Sequence, residues 1–114
     1  FEKPAKSIRA AVNLDGIGHA LKTTTVAIFE VPPELEQATH QVIRNFPGVI
    51  QTEPWPASDH SWFYPHGIPT WAISQGGLLN LDFAHSPDDN LSWISPDKLE
   101  EAVNLTDSLI QRLV

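Results

Sequence analysis

Apolar positions along this chain fall into two rhythms, one of strands and one of helices. Ser7 to Leu14 is a mostly apolar run that stops at Asp15, Gly16 and Gly18, the pattern of a buried strand ending at a turn. Thr23 to Val31 is rich in β-branched residues and predicts a second strand. Pro32-Pro33 stops it and pre-sets the first turn of a helix, because proline's fixed φ suits that position. Leu35, Ala38, Val42 and Phe46 then recur at helical spacing, with Glu34 and Glu36 at the positive end of the helix dipole. Pro47-Gly48 ends the helix, and Val49 to Thr52 follows as a short extended piece.

From Glu53 to Pro69 the rhythm disappears. Pro54, Pro56, Pro65 and Pro69 alternate with Trp55, Trp62, Phe63 and Tyr64, a stretch too stiff and aromatic for a linker. Ile68 to Ser74 reads as a further strand, and Gly76-Gly77 opens a loop running to a turn around His85. Ser95 caps a last helix with Pro96 and Asp97 in its first turn. Leu99, Ala102, Val103, Thr106, Leu109, Ile110 and Leu113 are expected to line its buried face. Strands alternating with helices predict an α/β layer architecture over a single domain, residues 1–114. In such sheets a site sits where loops leave the C-terminal strand ends.

Composition narrows the chemistry. No apolar run approaches the roughly 18 residues that span a bilayer, and no signal segment opens the chain. The net charge of −7, with Lys and Arg scattered, speaks against a nucleic-acid partner. The absence of cysteine removes disulfides, thiolate catalysis and Cys-based zinc sites, so any metal must be held by His and carboxylates, as catalytic zinc often is. The absence of Met, even at position 1, leads us to expect a chain that starts after processing, excision or proteolysis. Asn90-Leu91-Ser92 and Asn104-Leu105-Thr106 match the glycosylation acceptor pattern, for which chance occurrence is the expected reading.

Three places carry candidate chemistry. Asp15, at the end of an apolar strand and before Gly-Ile-Gly, is a carboxylate at a sheet rim, or simply the cap of a turn. His85 stands in a Pro-containing turn with Asp88 and Asp89, which can orient the imidazole as a ligand's neighbours do, or cap the approach to the last helix. Asp59-His60 can form a pair that carries a proton, or a hydrogen bond that merely holds a loop. Trp62, Phe63 and Tyr64 can wall a pocket or belong to the core.

The order of these motifs carries a resemblance. Asn13-Leu14-Asp15-Gly16-Ile17-Gly18, Ser58-Asp59-His60-Ser61-Trp62-Phe63, Gly67-Ile68-Pro69, His85-Ser86-Pro87-Asp88-Asp89 and Ser95-Pro96-Asp97-Lys98-Leu99 occur in sequence. Together they resemble the C-terminal half of the co-catalytic di-zinc aminopeptidases. That family includes leucyl aminopeptidases and glutamate carboxypeptidases and, more distantly, glutaminyl cyclases and the transferrin receptor. The likeness spans the chain, strong from Asp59 onward, good at Asp15 and loose between Thr23 and Glu53; Gly16 stands where the family has Met. It implies part of a three-layer zinc-exopeptidase fold, a mixed sheet flanked by helices. It also implies Asp15 and His85 as ligands of two zinc ions, and Asp59 and His60 as supporting or substrate-side residues. A peptide is the implied substrate, and an exported location is the family habit.

The resemblance also shows what is missing. The family's His-x-Asp motif, bridging Asp and Glu-Glu pair precede the Asn-Leu-Asp strand. Here no His-x-Asp occurs, and the only Glu-Glu, Glu100-Glu101, lies in the last helix as solvated surface. The expected whole is therefore a zinc aminopeptidase of which this chain is the C-terminal portion. Alone it should bind zinc weakly and hydrolyse nothing. A non-catalytic binding or dimerisation module is the first alternative, and a glutaminyl-cyclase-like acyltransferase, with Asp15 and Asp59 as catalytic carboxylates, the second. Half a layered sheet leaves apolar faces or edges open, so the piece is expected to pair with its missing N-terminal half or form a homodimer.

Overall fold

Strand β1 (Ala11–Leu14) ends where the sequence turns from apolar to Asp-Gly, and β2 (Thr24–Phe29) occupies the β-branched run. Helix α1 (Pro33–Arg44) begins at the second proline, with Pro32 extended before it, and leads to β3 (Val49–Gln51). β4 (Thr70–Gln75) and helix α2 (Pro96–Leu113) complete the strands and α-helices among the described residues. The computed structural model describes residues 6–76, 86–88 and 90–113. Between β3 and β4 the proline-rich segment forms two short 3-10 turns, Asp59–Trp62 and Tyr64–His66, as expected of a stretch that is neither linker nor regular element.

The four strands lie in the order β1-β4-β2-β3. β1 runs parallel to β4, β4 antiparallel to β2, and β2 parallel to β3. The sheet is mixed and flanked by helices, the α/β architecture the sequence implies. Register decides what each face carries: Val26 pairs with Ile73 and Ile28 with Trp71, while Ala27 pairs with Ala72. Because side chains alternate along a strand, the first set forms one face. It packs with Val42 of α1 and with Leu105 and Leu109 of α2, so both helices cover the same side. The second set, Ala27, Phe29 and Ala72, is covered by Trp55 and Tyr64 of the proline-rich segment.

Trp71 is the largest side chain in the helix-covered core. Its indole Nε1 donates to Thr39 Oγ1 at 2.9 Å, and that hydroxyl donates to the Leu35 carbonyl at 2.7 Å. A threonine can thus sit buried in α1 with both hydrogen-bonding roles used.

The buried face of α2 is rotated from the expected one. Ala102, Leu105 and Leu109 are buried, whereas Leu99, Val103 and Ile110 stand 37, 60 and 45% exposed. The cause is where α1 lies. Glu101 packs over Gly48, and Arg112 Nη1 donates to Gln41 Oε1, so these residues face α1. Leu99, Val103 and Ile110 share the opposite flank of the helix by their spacing. Leu99 sits against Gly18, in the loop that follows β1, where an added Cβ would lie 2.5 Å from Leu99 Cδ2. Ser95 caps the helix as expected, its Oγ accepting from Lys98 N at 3.4 Å.

Candidate functional site

Asp15 continues the ladder of β1, its N–H donating to the Ile73 carbonyl at 3.1 Å, and its side chain is exposed at the strand's C-terminal end. Asn13, two residues earlier, shares its face of the strand. Both meet Ser58, delivered from the proline-rich segment. Ser58 Oγ donates to Asp15 Oδ2 at 2.5 Å, and Asn13 Nδ2 donates to Ser58 Oγ at 3.1 Å. Asp15 Oδ1 takes no hydrogen bond from the described residues and remains as an acceptor on an exposed residue.

The residue before Ser58 explains how the hydroxyl arrives. Ala57 has φ 81°, left-handed backbone that a side chain disfavours by roughly 1–2 kcal/mol. Such a conformation persists only where surrounding structure fixes it, and it turns the chain so that Ser58 reaches across to β1.

Asp59 and His60 separate in role. Asp59 is exposed at the start of the first 3-10 turn. His60 is 0% exposed, with Phe29 and Trp55 ring centroids at 4.8 and 4.6 Å and Tyr64 at 6.2 Å. The Asp59–His60 pair expected from their adjacency is not formed. His60 Nε2 donates instead to the Trp55 carbonyl at 2.7 Å, and Nδ1 faces Asn13 Nδ2 at 3.5 Å. Of the three neighbouring aromatics, Tyr64 stacks on Phe29 within the core, while Trp62 is 70% exposed.

The turn before α2 is held by its own polar groups. Asn90 Oδ1 accepts from Ser92 N and Ser92 Oγ, at 3.0 and 2.6 Å, and Trp93 Nε1 donates to the Asp88 carbonyl. Trp93 stacks on buried His19, whose N–H donates to Gln75 Oε1. This ties the turn to the loop after β1 and to the end of β4. The Asp88 side chain is exposed. His85 and Asp89 lie outside the described residues, so the expected convergence of His85 with Asp15 does too.

Zinc sites take about three protein ligands per ion. Among the described residues no group of three or more His, Asp or Glu is placed to hold a metal. Asp15, with one oxygen fixed and one open, is a suitable donor but only one, and the described residues do not complete a zinc site. Ser58 and Asn13, which orient Asp15, were quoted in the sequence motifs without a role. The available signal was the spacing of Asn13 and Asp15, two apart on a strand and so on one face.

The described residues thus form a mixed α/β sheet with one oriented carboxylate, Asp15, at the C-terminal end of a strand. The chain belongs to Peptidase family M28, whose model matches residues 1–109. A search of curated proteins gives no match. Among solved structures, the fold is similar to BSAP, a zinc aminopeptidase from Bacillus subtilis, with a TM-score of 0.76 at 21% identity. That likeness covers 98% of this chain and 30% of the other. It is also similar to an aminopeptidase from Aneurinibacillus sp. strain AM-1, with a TM-score of 0.76 at 20% identity, covering 99% of this chain and 27% of that one. The chain thus spans less than a third of the aminopeptidases it matches. No helix among the described residues is long and apolar enough to cross a membrane.

Proposed function

We propose that this chain is the C-terminal portion of a zinc-dependent aminopeptidase, supplying Asp15 and His85 as metal ligands and the Glu53–Pro69 loops on the substrate side. The observation that carries this reading is the Asp15 carboxylate, held on one oxygen by Ser58 and open on the other at the sheet rim. Family membership and the solved aminopeptidase neighbours support it. The substrate is a peptide with a free N-terminus, and the two zinc ions, the general base and the bridging ligand involve the upstream half of the domain. When bound, zinc would supply a nucleophilic hydroxide and polarise the scissile carbonyl. In this reading exposed Asp59 lends substrate-side support, whereas enclosed His60 acts through Asn13. An exported location fits the family habit and is part of the same reading.

The test uses a protein long enough to carry the His-x-Asp and Glu-Glu motifs. It should contain zinc and release N-terminal residues from peptides, and Asp15→Asn should remove both properties. A full-length protein that holds no metal and cleaves no peptide sinks the reading.

A second reading, of an association module, has its own observation. Among the described residues β1 is an edge strand, and α2 presents Leu99, Val103 and Ile110 to solvent. The upstream half of the domain is the proposed cover for this surface, with a homodimer as its substitute when that half is absent. Light scattering on the 114-residue chain decides it, a monodisperse monomer counting against any such cover.

A further inference from the structure

From the hydrogen-bond directions around Ser58 we infer that buried His60 is a positioning residue: its bare Nδ1 holds the Asn13 amide in the orientation that steadies Ser58 against Asp15. The reasoning proceeds from the carboxylate inward. An ionised carboxylate only accepts, so Ser58 spends its single proton on Asp15 Oδ2. Ser58 Oγ must then accept from Asn13, which places the Asn13 nitrogen, not its oxygen, toward both Ser58 and His60. The second hydrogen of that amide points at His60 Nδ1 across a long contact of 3.5 Å, so Nδ1 has to be the bare nitrogen. The other ring nitrogen settles the tautomer independently. Nε2 lies 2.7 Å from the Trp55 carbonyl, which can only accept, so Nε2 carries the hydrogen. Both ends of the chain therefore demand the same direction.

The cage around His60 keeps the ring from flipping. Phe29, Trp55 and Tyr64 enclose it, and no water reaches a side chain that is 0% exposed. An amide flip at Asn13 would set its oxygen against Nδ1 and against a Ser58 oxygen with no spare proton. The direction is thereby locked by a group separated from Asp15 by two intervening side chains. Its functional weight rests on the proposed reading of Asp15 as a ligand; the direction of the hydrogen bonds does not.

Two substitutions separate this role from plain loop support. Asparagine at position 60 places its oxygen where Nδ1 stood, keeping the acceptor for Asn13 and losing the Trp55 anchor. Glutamine places its nitrogen where Nε2 stood, keeping the anchor and losing the acceptor. In the full-length protein, Zn²⁺ affinity measured by chelator competition should fall in His60→Gln, by no more than the roughly 10–100-fold lost when a ligand's direct orienting partner is removed. His60→Asn should bind at near the parent affinity. Selective ¹⁵N-histidine labelling of the unsubstituted protein reports the tautomer directly, whatever the variants' folding. An Nε2–H tautomer with bare Nδ1, and stronger zinc binding in His60→Asn than in His60→Gln, uphold the assignment. An Nδ1–H tautomer overturns it, as do equal affinities or tighter binding in His60→Gln. Asp15→Asn binding zinc as the parent does would remove Asp15 as a ligand, while the tautomer would still judge the chain of donors.

Discussion

Trp71 and Thr39 give a sharp test of the packing that holds the sheet rim in place. The indole N–H of Trp71 is buried, and Thr39 Oγ1 at 2.9 Å is its partner. Valine matches threonine in shape, so Thr39→Val opens no cavity but strands that donor in an apolar core. Leaving one buried neutral donor unpaired costs about 1–3 kcal/mol. The lost Thr39–Leu35 bond adds little, because a helix carbonyl already accepts from the backbone N–H four residues on. Taking about 2 kcal/mol and a urea slope of about 1.5 kcal/mol per molar, the unfolding midpoint should fall by about 1.3 M. Far-UV circular dichroism is the right probe, since it does not depend on tryptophan emission. The decisive step is the same substitution in a Trp71→Phe background. With no indole N–H to strand, Thr39→Val should there cost less than about 0.5 kcal/mol, giving a coupling of about 1.5–2 kcal/mol in the cycle. Equal costs in both backgrounds would refute the reasoning.

Other expectations follow from local geometry. Ala57→Gly should change stability by less than about 0.5 kcal/mol, since relief of the left-handed strain and the added freedom of the unfolded chain nearly cancel; Ala57→Val should cost more than about 1 kcal/mol. Denaturant titration of both variants checks this. Gly18→Ala combines φ 90° with a Cβ driven into Leu99, and should cost about 1–3 kcal/mol, partly recovered by Leu99→Ala in a double-mutant comparison of melting temperatures. Val103→Glu with Ile110→Glu should raise the monomer fraction of the 114-residue chain in light scattering and leave its circular dichroism unchanged.

The elements were legible because each is bounded by residues with one local meaning. Pro32-Pro33 and Ser95-Pro96 mark helix starts that the structure keeps, whereas the helix before Pro47-Gly48 already ends at Arg44, leaving Phe46 beyond it. The β-branched run became β2, but the strand expected from Ser7 is regular only from Ala11, where pairing with Thr70 begins. Helix faces were less legible. Leu99, Val103, Thr106 and Ile110 form a real apolar stripe at helical spacing, and the sequence cannot say which of two adjacent stripes this sheet covers. Leu105, set 3 residues before Ser108 and 4 before Leu109 on α2, is wholly buried yet lay outside the expected face. Thr39 was missed for a similar reason, as its burial depends on a tryptophan 32 residues away. Asp15 was read correctly as a rim carboxylate, whereas the fate of His60 turns on a carbonyl and an amide that no motif encodes.

The directions of the strands constrain whatever adjoins β1. The path β2–α1–β3 travels away from β1, and crossovers between parallel strands are almost always right-handed. β1 points opposite to β2, since it is parallel to β4, which opposes β2. A segment that enters β1 from a parallel neighbour on its outer side would travel in the same sense as that path but along reversed strands. Handedness then sends its helix behind the sheet, to the side bearing Asn13, opposite α1 and α2. One free margin and one chirality rule are enough to turn a sheet covered by helices on a single side into a sandwich.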